Sequence, residues 1–380
     1  MGAFIIKTTK ICYTITNYGG KMKNPKIPYF YNDKPIFGLD IGPSSLKVMQ
    51  INLSKNKKTR ITGYGFTSFD HTVIENGIII DYKNIAKSAY ELFDKYLIGS
   101  INTKRVALAI PAYRTFTRSI TLPKLENKEI HEAISLEAEQ YIPIPVEELY
   151  IDYEIIKKSK TTDDYLVIGV PKEIVDSYLN LSQILGLEAV LIEPTLHSSA
   201  RLFSLDPTSN QSTIIIDFGS KSADISIYDQ GHILITGTVQ AGGSIFTAAI
   251  QKKLNVNEEE AGLIKTKYGL QVSKKQTEMK EALSPILNEV IKEIKSMKRY
   301  YEEHYSNKKP IEQIITLGGG ANMPGLSEYL IDSIRLPVKH SDPWQYINFK
   351  GLQPPALADK PMYATVAGLS LLNPSELFHD

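Results

Sequence analysis

From Ile36 onward the apolar positions fall into short regular patterns. "IFGLDIG", "SLKVMQINLS" and "TRITGYGFTSF" read as three consecutive strands with short polar connections, and a helix follows over about residues 81 to 98. Residues 212 to 239, "STIIIDFGSKSADISIYDQGHILITGTV", repeat the unit: an apolar strand ending in Asp-x-Gly, a polar turn, an alternating strand and a third strand. In each copy an Asp closes the first strand (Asp40, Asp217), a Gly two residues on permits the tight turn (Gly42, Gly219), and a Ser follows three residues later (Ser45, Ser222). Duplication on this scale predicts an α/β protein of two lobes facing a cleft.

Each half carries an insertion. In the first, "TFTRSITLP" reads as a strand, "NKEIHEAISLEAEQY" as a helix stopped by "IPIP", and "LYIDYEIIKK" and "DYLVIGVP" as two more strands. A helix from Lys172 to Gly186 and the strand "EAVLIEP" then return the chain to the first lobe. In the second half, residues 244 to 310 read as nearly all helical, with Ile286, Leu287, Val290, Ile291, Ile294 and Met297 forming a core-facing stripe. The expected division is 1–35 as a poorly ordered extension, 36–113 and 171–211 as the first lobe's core, 114–170 as its inserted module, 212–243 and 311–380 as the second lobe's core, and 244–310 as a helical insertion.

Composition narrows the partners. Forty-three basic and 42 acidic residues in 380 leave a net charge of +1, which supplies no field to concentrate nucleic acid or anionic lipid. Cys12 is the only cysteine, no Cys/His pattern suggests zinc, and a reducing cytoplasm fits. Runs such as "ENGIIIDY" fall far short of the roughly 20 apolar residues a span requires, so direct membrane insertion is not expected. The first 35 residues lack a signal peptide's long apolar core, and the Ser or Thr expected after an acylated Met-Gly is replaced by Ile6. A translation start at Met22 would also account for this segment, a point that mass spectrometry of the native protein decides.

Three glycine-bearing turns share one explanation: "DIGPSSLK", "DFGSKSAD" and "TLGGGANMPGL". Singly each is an ordinary turn, but in this order they resemble the two phosphate motifs and the adenosine motif of the actin-like ATPase superfamily, a two-lobed, duplicated RNase H-like fold. The resemblance implies ATP or ADP with Mg²⁺: Gly42, Ser44, Ser45, Gly219 and Ser220 at the phosphates, Asp40 and Asp217 holding the metal through water, Lys47 as a point charge, and Gly318, Gly319 and Gly320 beside the adenine.

"GLDIGPSSLKV", "EAEQYIPIP", "EPTLHSSARL", "AGGSIFTAAIQKKL" and "ATVAGLSLL" together closely resemble the PilM family of type IV pilus assembly proteins, from about residue 36 to about 372. PilM is similar to the division protein FtsA, and in both the first-lobe insertion is a small strand-helix-strand-strand module, as residues 114 to 170 read here. FtsA ends in an amphipathic membrane helix, whereas "LLNPSELFHD" is short and acidic, which favours PilM. The resemblance implies a cytoplasmic scaffold at the inner face of the membrane. It would bind the N-terminal tail of the inner-membrane protein PilN through a groove involving the inserted module, and link it to other pilus components, including motor ATPases. The alternative is a filament-forming actin-like or FtsA-like cytoskeletal ATPase.

Two departures from the family pattern bear on mechanism. Pro43 has no N–H where actin places a serine against the terminal phosphate. In "EEEAGLIKTKYG" the glutamate expected at the ribose is replaced by Gly262, while Lys265 keeps the register and Glu260 would compensate only if the helix shifted. Glu193 stands where relatives direct a glutamate at the metal or the attacking water; capping of the helix that begins at Pro194 explains it equally well. Weak or undetectable ATP hydrolysis is expected.

Overall fold

The computed structural model describes residues 6–7, 34–53, 59–305, 309–342, 344, 347–349, 351–357, 359–374 and 377. Apart from residues 6–7 and 34–35, the expectations for the N-terminal extension, Cys12 and Met22 lie outside the described residues. The chain forms two compact units, Met1–Leu202 with Tyr346–Pro354 and Thr365–Asp380, and Phe203–Gln345 with Pro355–Ala364.

The first unit is built on a seven-stranded sheet. Its strands are β1 (Ile6–Lys7), β2 (Phe37–Ile41), β3 (Ser45–Leu53), β4 (Thr59–Ser68), β7 (Leu97–Gly99), β8 (Arg105–Ile110) and β12 (Glu188–Pro194), in the order β1-β12-β8-β2-β3-β4-β7. A small hairpin, β5 (Ile74–Glu75) and β6 (Ile78–Ile79), precedes α1 (Tyr82–Glu91). The strands at the sheet's centre are buried on both faces, which is why "RVALAI" and "FGLDI" read as continuous apolar runs. Phe37, Leu39, Val106, Leu108 and Ile110 pack with Ile85 and Ala89 of α1 and with Ile174, Val175 and Tyr178 on one face. On the other, Ala107 and Ala109 are small enough to admit Leu369 and Leu372 from the helix Ala364–Ser370 and the residues after it.

That helix explains a difference from the expected boundaries. Residues 365–380, grouped in the sequence with the second lobe, lie in the first unit. Gly38 donates its N–H to Ser370 Oγ at 3.3 Å, and a Cβ on Gly38 would stand 2.7 Å from the Val366 carbonyl oxygen, so only glycine lets helix and strand meet so closely. The helix expected over 81 to 98 is also shorter. It ends in a π turn, Leu92–Tyr96, and gives way to β7, which pairs with β4. Gly63 and Gly65 clear the way, since Cβ atoms there would lie 2.5 Å from the Ser100 oxygen and 2.9 Å from the Tyr96 oxygen.

The inserted module follows the sequence reading: β9 (Phe116–Pro123), α2 (Asn127–Glu139), β10 (Leu149–Lys158) and β11 (Thr162–Pro171), with antiparallel order β10-β11-β9. Ile130 and Ile134 of α2 pack on Ile120, Leu122, Tyr165 and Val167 of its own sheet. A further helix, α3 (Lys172–Ile184), leads into β12, which is followed by α4 (Thr195–Phe203).

The second unit holds β13 (Thr213–Phe218), β14 (Ala223–Asp229), β15 (His232–Val239), α5 (Gly243–Leu254), α6 (Glu258–Lys267), α7 (Gln276–His304), β16 (Gln313–Leu317), α8 (Leu326–Ile334) and β17 (Val338–His340), with strand order β15-β14-β13-β16-β17. The expected stripe of α7 is buried from Leu287 to Met297 and extends through Met279, Leu283 and Tyr301, while Ile286 is only half-buried.

Candidate functional site

The two copies of the duplicated hairpin fold alike down to the turn. In the first, Gly42 donates its N–H to the Ser45 carbonyl at 2.8 Å; in the second, Gly219 donates to the Ser222 carbonyl at 2.9 Å. Pro43 and Ser220 occupy the same place in the two turns, one residue after the glycine. The equivalent serine thus stands in one copy and is replaced in the other.

The charges opposite each aspartate differ. Asp40 lies across from Lys47 on β3, and the ammonium reaches Asp40 Oδ2 at 2.9 Å with both side chains about nine-tenths buried. Asp217 lies across from Asp224 on β14, so the second turn carries two carboxylates on one face of the sheet. Burial pushes the Asp224 carboxyl up to about 6 against hydrogen bonds from Thr238 and Ser222 that hold it down. Thr238 Oγ1 donates to Asp224 Oδ1 at 2.8 Å.

The second turn is clasped by the start of α5. Gly243 and Ser244 donate their N–H groups to the carbonyls of Gly219 and Ser220, each at 2.9 Å, and Ser244 Oγ donates to the Ser220 carbonyl at 2.6 Å. Ser220 Oγ and Ser244 Oγ stand 2.9 Å apart. The approach depends on Gly242, where a Cβ would sit 2.2 Å from the Ser220 oxygen. Sequence reasoning does not single out Ser244, although Gly-Gly-Ser ahead of an apolar helical run is a start signal that marks it.

Lys265 reaches the same helix end from α6. Its ammonium donates to the Gly243 carbonyl and to Thr247 Oγ1, both at 2.7 Å, and burial lowers its pKa. Three residues back, Gly262 has no heavy atom within 4 Å of where a Cβ would be, so the position is open to a longer side chain. Glu260 does not replace the missing glutamate, because it closes a capping box with Asn257 at the start of its own helix.

The third turn meets the second. Gly318, at φ +78°, follows β16, which pairs in parallel with β13. A Cβ on Gly318 would lie 2.3 Å from Asp217 Oδ1 and one on Gly320 would lie 2.9 Å from the Phe218 Cβ, whereas Gly319 faces open space. Asp217, Gly219, Ser220, Lys265 and Gly318 to Gly320 are therefore gathered at one end of one sheet. Asp40, Gly42, Ser44, Ser45 and Lys47 form the corresponding turn of the first unit.

Glu193 is 1% exposed at the end of β12, flanking Ala109 of β8 from the side opposite Asp40. Its carboxylate is fully engaged: Arg201 of α4 forms two bonds at 2.6 Å and Ser198 Oγ donates at 2.7 Å. Arg201 Nη1 also reaches the Gly368 carbonyl at 3.1 Å, tying β12, α4 and the helix Ala364–Ser370 together. The sequence leaves Glu193 either to position water or to cap the helix after it; its carboxylate instead bonds Arg201 and Ser198 within α4, which anchors that helix to β12.

Known proteins resemble the chain over most of its length. The family model described as type IV pilus assembly protein PilM matches residues 38–373. Cell division protein FtsA of Bacillus subtilis (strain 168) is 25% identical over 383 residues, spanning 89% of this chain and 83% of FtsA. A solved PilM-PilN type IV pilus biogenesis complex superposes with a TM-score of 0.77 at 21% identity, covering 89% of this chain and 98% of that one. MreB5 of Spiroplasma citri bound to AMPPNP superposes with a TM-score of 0.50 at 15% identity, covering 88% of this chain and 94% of that one. These structural likenesses show a two-lobed, actin-like α/β fold.

Proposed function

Because the chain belongs to the family of type IV pilus assembly protein PilM, we propose that it is a nucleotide-binding scaffold rather than a fast enzyme. It binds the N-terminal tail of a PilN-type inner-membrane protein and links it to cytoplasmic pilus components, motor ATPases among them. This places it at the inner face of the membrane through partners, and among the described residues no helix is long and apolar enough to cross one. The PilM-PilN complex among its structural relatives supports the partner.

The observation that carries the nucleotide is the close approach of the Asp217 and Gly318 turns, which only a glycine at 318 permits, while Gly319 beside it faces open space. ATP or ADP would lay its adenosine along Gly318 to Gly320 and its phosphates at Gly219, Ser220 and Lys265, with the equivalent turn at Gly42, Ser44 and Ser45 available in the first unit. AMPPNP in the MreB5 relative supports this class of ligand.

Magnesium fits the donor set, since carboxylate oxygens are what a hard divalent cation takes. Among the described residues no cluster of three or more metal-ligating side chains stands ready, so the ion would arrive with the phosphates, held through water by Asp217 and Asp40. At Asp40 it would compete with the Lys47 ammonium already 2.9 Å away. Such an ion would supply neutralisation of phosphate charge, with Asp217 and Asp40 as the carboxylates that would hold it. Hydrolysis is weak because Pro43 removes one donor at the terminal phosphate and Glu193 is committed to Arg201.

Calorimetry with ADP and ATP, paired with phosphate release, tests the reading. We expect binding of both nucleotides, loss of binding in Gly318→Ala, and turnover close to background. Robust turnover that Asp40→Ala abolishes would replace the scaffold with an ATPase.

A further inference from the structure

The outermost strand of the first unit's sheet comes from the far N-terminal end of the chain. Strand β1 pairs antiparallel with β12, Ile6 opposite Ile192 and Lys7 opposite Leu191, and the same two residues lie beside β10 of the inserted module. Without β1, β12 would be the sheet's bare edge. Val190, Leu191 and Ile192 of that strand are apolar and buried, at 5%, 0% and 0% exposed. An uncovered apolar edge presents a row of N–H and C=O groups to any extended chain, and proteins cover such edges or use them for strand addition.

Near β1, β10 is also an edge, the first strand in the order β10-β11-β9. Its residues Tyr150 to Ile156 are half-buried on both faces instead of alternating between core and solvent. Glu154 in the middle is pushed up to about 7 by burial. Two strand edges therefore come together at residues 6–7, which pair with one and lie near the other.

We infer that the β12 edge, with β10 beside it, is a strand-accepting site which the chain's own N-terminal segment occupies and which an extended peptide partner must win from it. The identity of the competitor, the tail of a PilN-type protein, rests on the function proposed above; self-occupancy rests on the pairing alone. Occupancy in roughly nine chains of ten would lower a competitor's apparent affinity about tenfold.

Two arms of one experiment separate these claims, both on the full chain. N–H groups alternate sides along a strand, so one of Ile6 and Lys7 directs its N–H at β12, and the double substitution Ile6→Pro/Lys7→Pro removes that donor whichever it is. In the first arm, hydrogen exchange at residues 190 to 193 is followed in wild type and variant, with and without a synthetic peptide of residues 1–10. Faster exchange in the variant, restored to protection by the peptide, is the expected result. In the second, a synthetic peptide of the PilN-type tail is titrated into both proteins, with about tenfold tighter binding expected in the variant.

Unchanged exchange at β12 in the variant overturns self-occupancy, and so does a native N-terminus at Met22. Equal tail affinity for the two proteins overturns the competition. If the tail binds neither protein while the first arm succeeds, the proposed partner fails and the self-occupied edge stands.

Discussion

Pro43 and Ser220 occupy one structural position in two copies of one turn, so each serves as the other's control. The serine copy retains a backbone donor and a hydroxyl, which in this protein is shared with Ser244. The proline copy has neither. A hydrogen bond to a charged acceptor contributes about 1.5 to 3 kcal/mol. Pro43→Ser is therefore expected to raise ATP affinity relative to ADP by about tenfold or more, as read by calorimetry, and an unchanged ratio would remove Pro43 from the account. Asp224 gives a second expectation at this scale. Its carboxyl titrates near 6 in the folded chain against an ordinary 3.8, so between those values the folded state holds the extra proton. Stability accordingly falls as pH rises through that window, and the loss is complete above about 6. Asp224→Asn, which still accepts from Thr238, should stabilise the ligand-free chain at pH 7 by on the order of 2 kcal/mol and flatten its urea midpoint between about pH 4 and 6. A midpoint that is no higher at pH 7 would show the burial is relieved in solution.

At the scale of elements, β12 and α4 are held by a buried ion pair that the sequence does not announce. Removing one partner of such a pair leaves the other charged and buried. Arg201→Met is thus expected to cost about 3 to 5 kcal/mol in chemical denaturation, and Glu193→Gln less, because the new side chain's amide oxygen would still accept from Ser198. If both substitutions leave stability unchanged and alter only nucleotide turnover, the anchoring role given to Glu193 is wrong. This pair also shows where legibility stops. The duplicated hairpins can be read because an apolar strand, an Asp-x-Gly and a Ser are all local, and the inserted module because its helix and strands differ in period. Arg201, Ser244 and Asp224 cannot, since each matters through a partner that only the fold supplies: Glu193 across a strand-helix junction, Ser220 in the preceding turn, and Asp217 on the neighbouring strand. The helix Ala364–Ser370 is grouped with the other half on sequence grounds for the same reason. Nothing in "ATVAGLSLL" says that Gly38 has left room for it. The early end of α1 is equally hidden, because it depends on Gly63 and Gly65 in a strand well before it.

For the whole molecule, two units each carry one Asp-x-Gly turn, and the first also carries an inserted module beside a strand edge paired with Ile6–Lys7. The proposed nucleotide site and the proposed peptide site in one protein would suit an adaptor whose partner binding responds to its ligand. Linkage then requires that if nucleotide changes peptide affinity, peptide changes nucleotide affinity by the same factor. The most direct test is titration of the full chain with a synthetic peptide of the PilN-type tail, with and without Mg-ATP, followed by calorimetry. Saturable binding is expected in both conditions, with tighter binding when the nucleotide is present. Absence of binding in both, by a protein shown to be folded, would contradict the scaffold proposal.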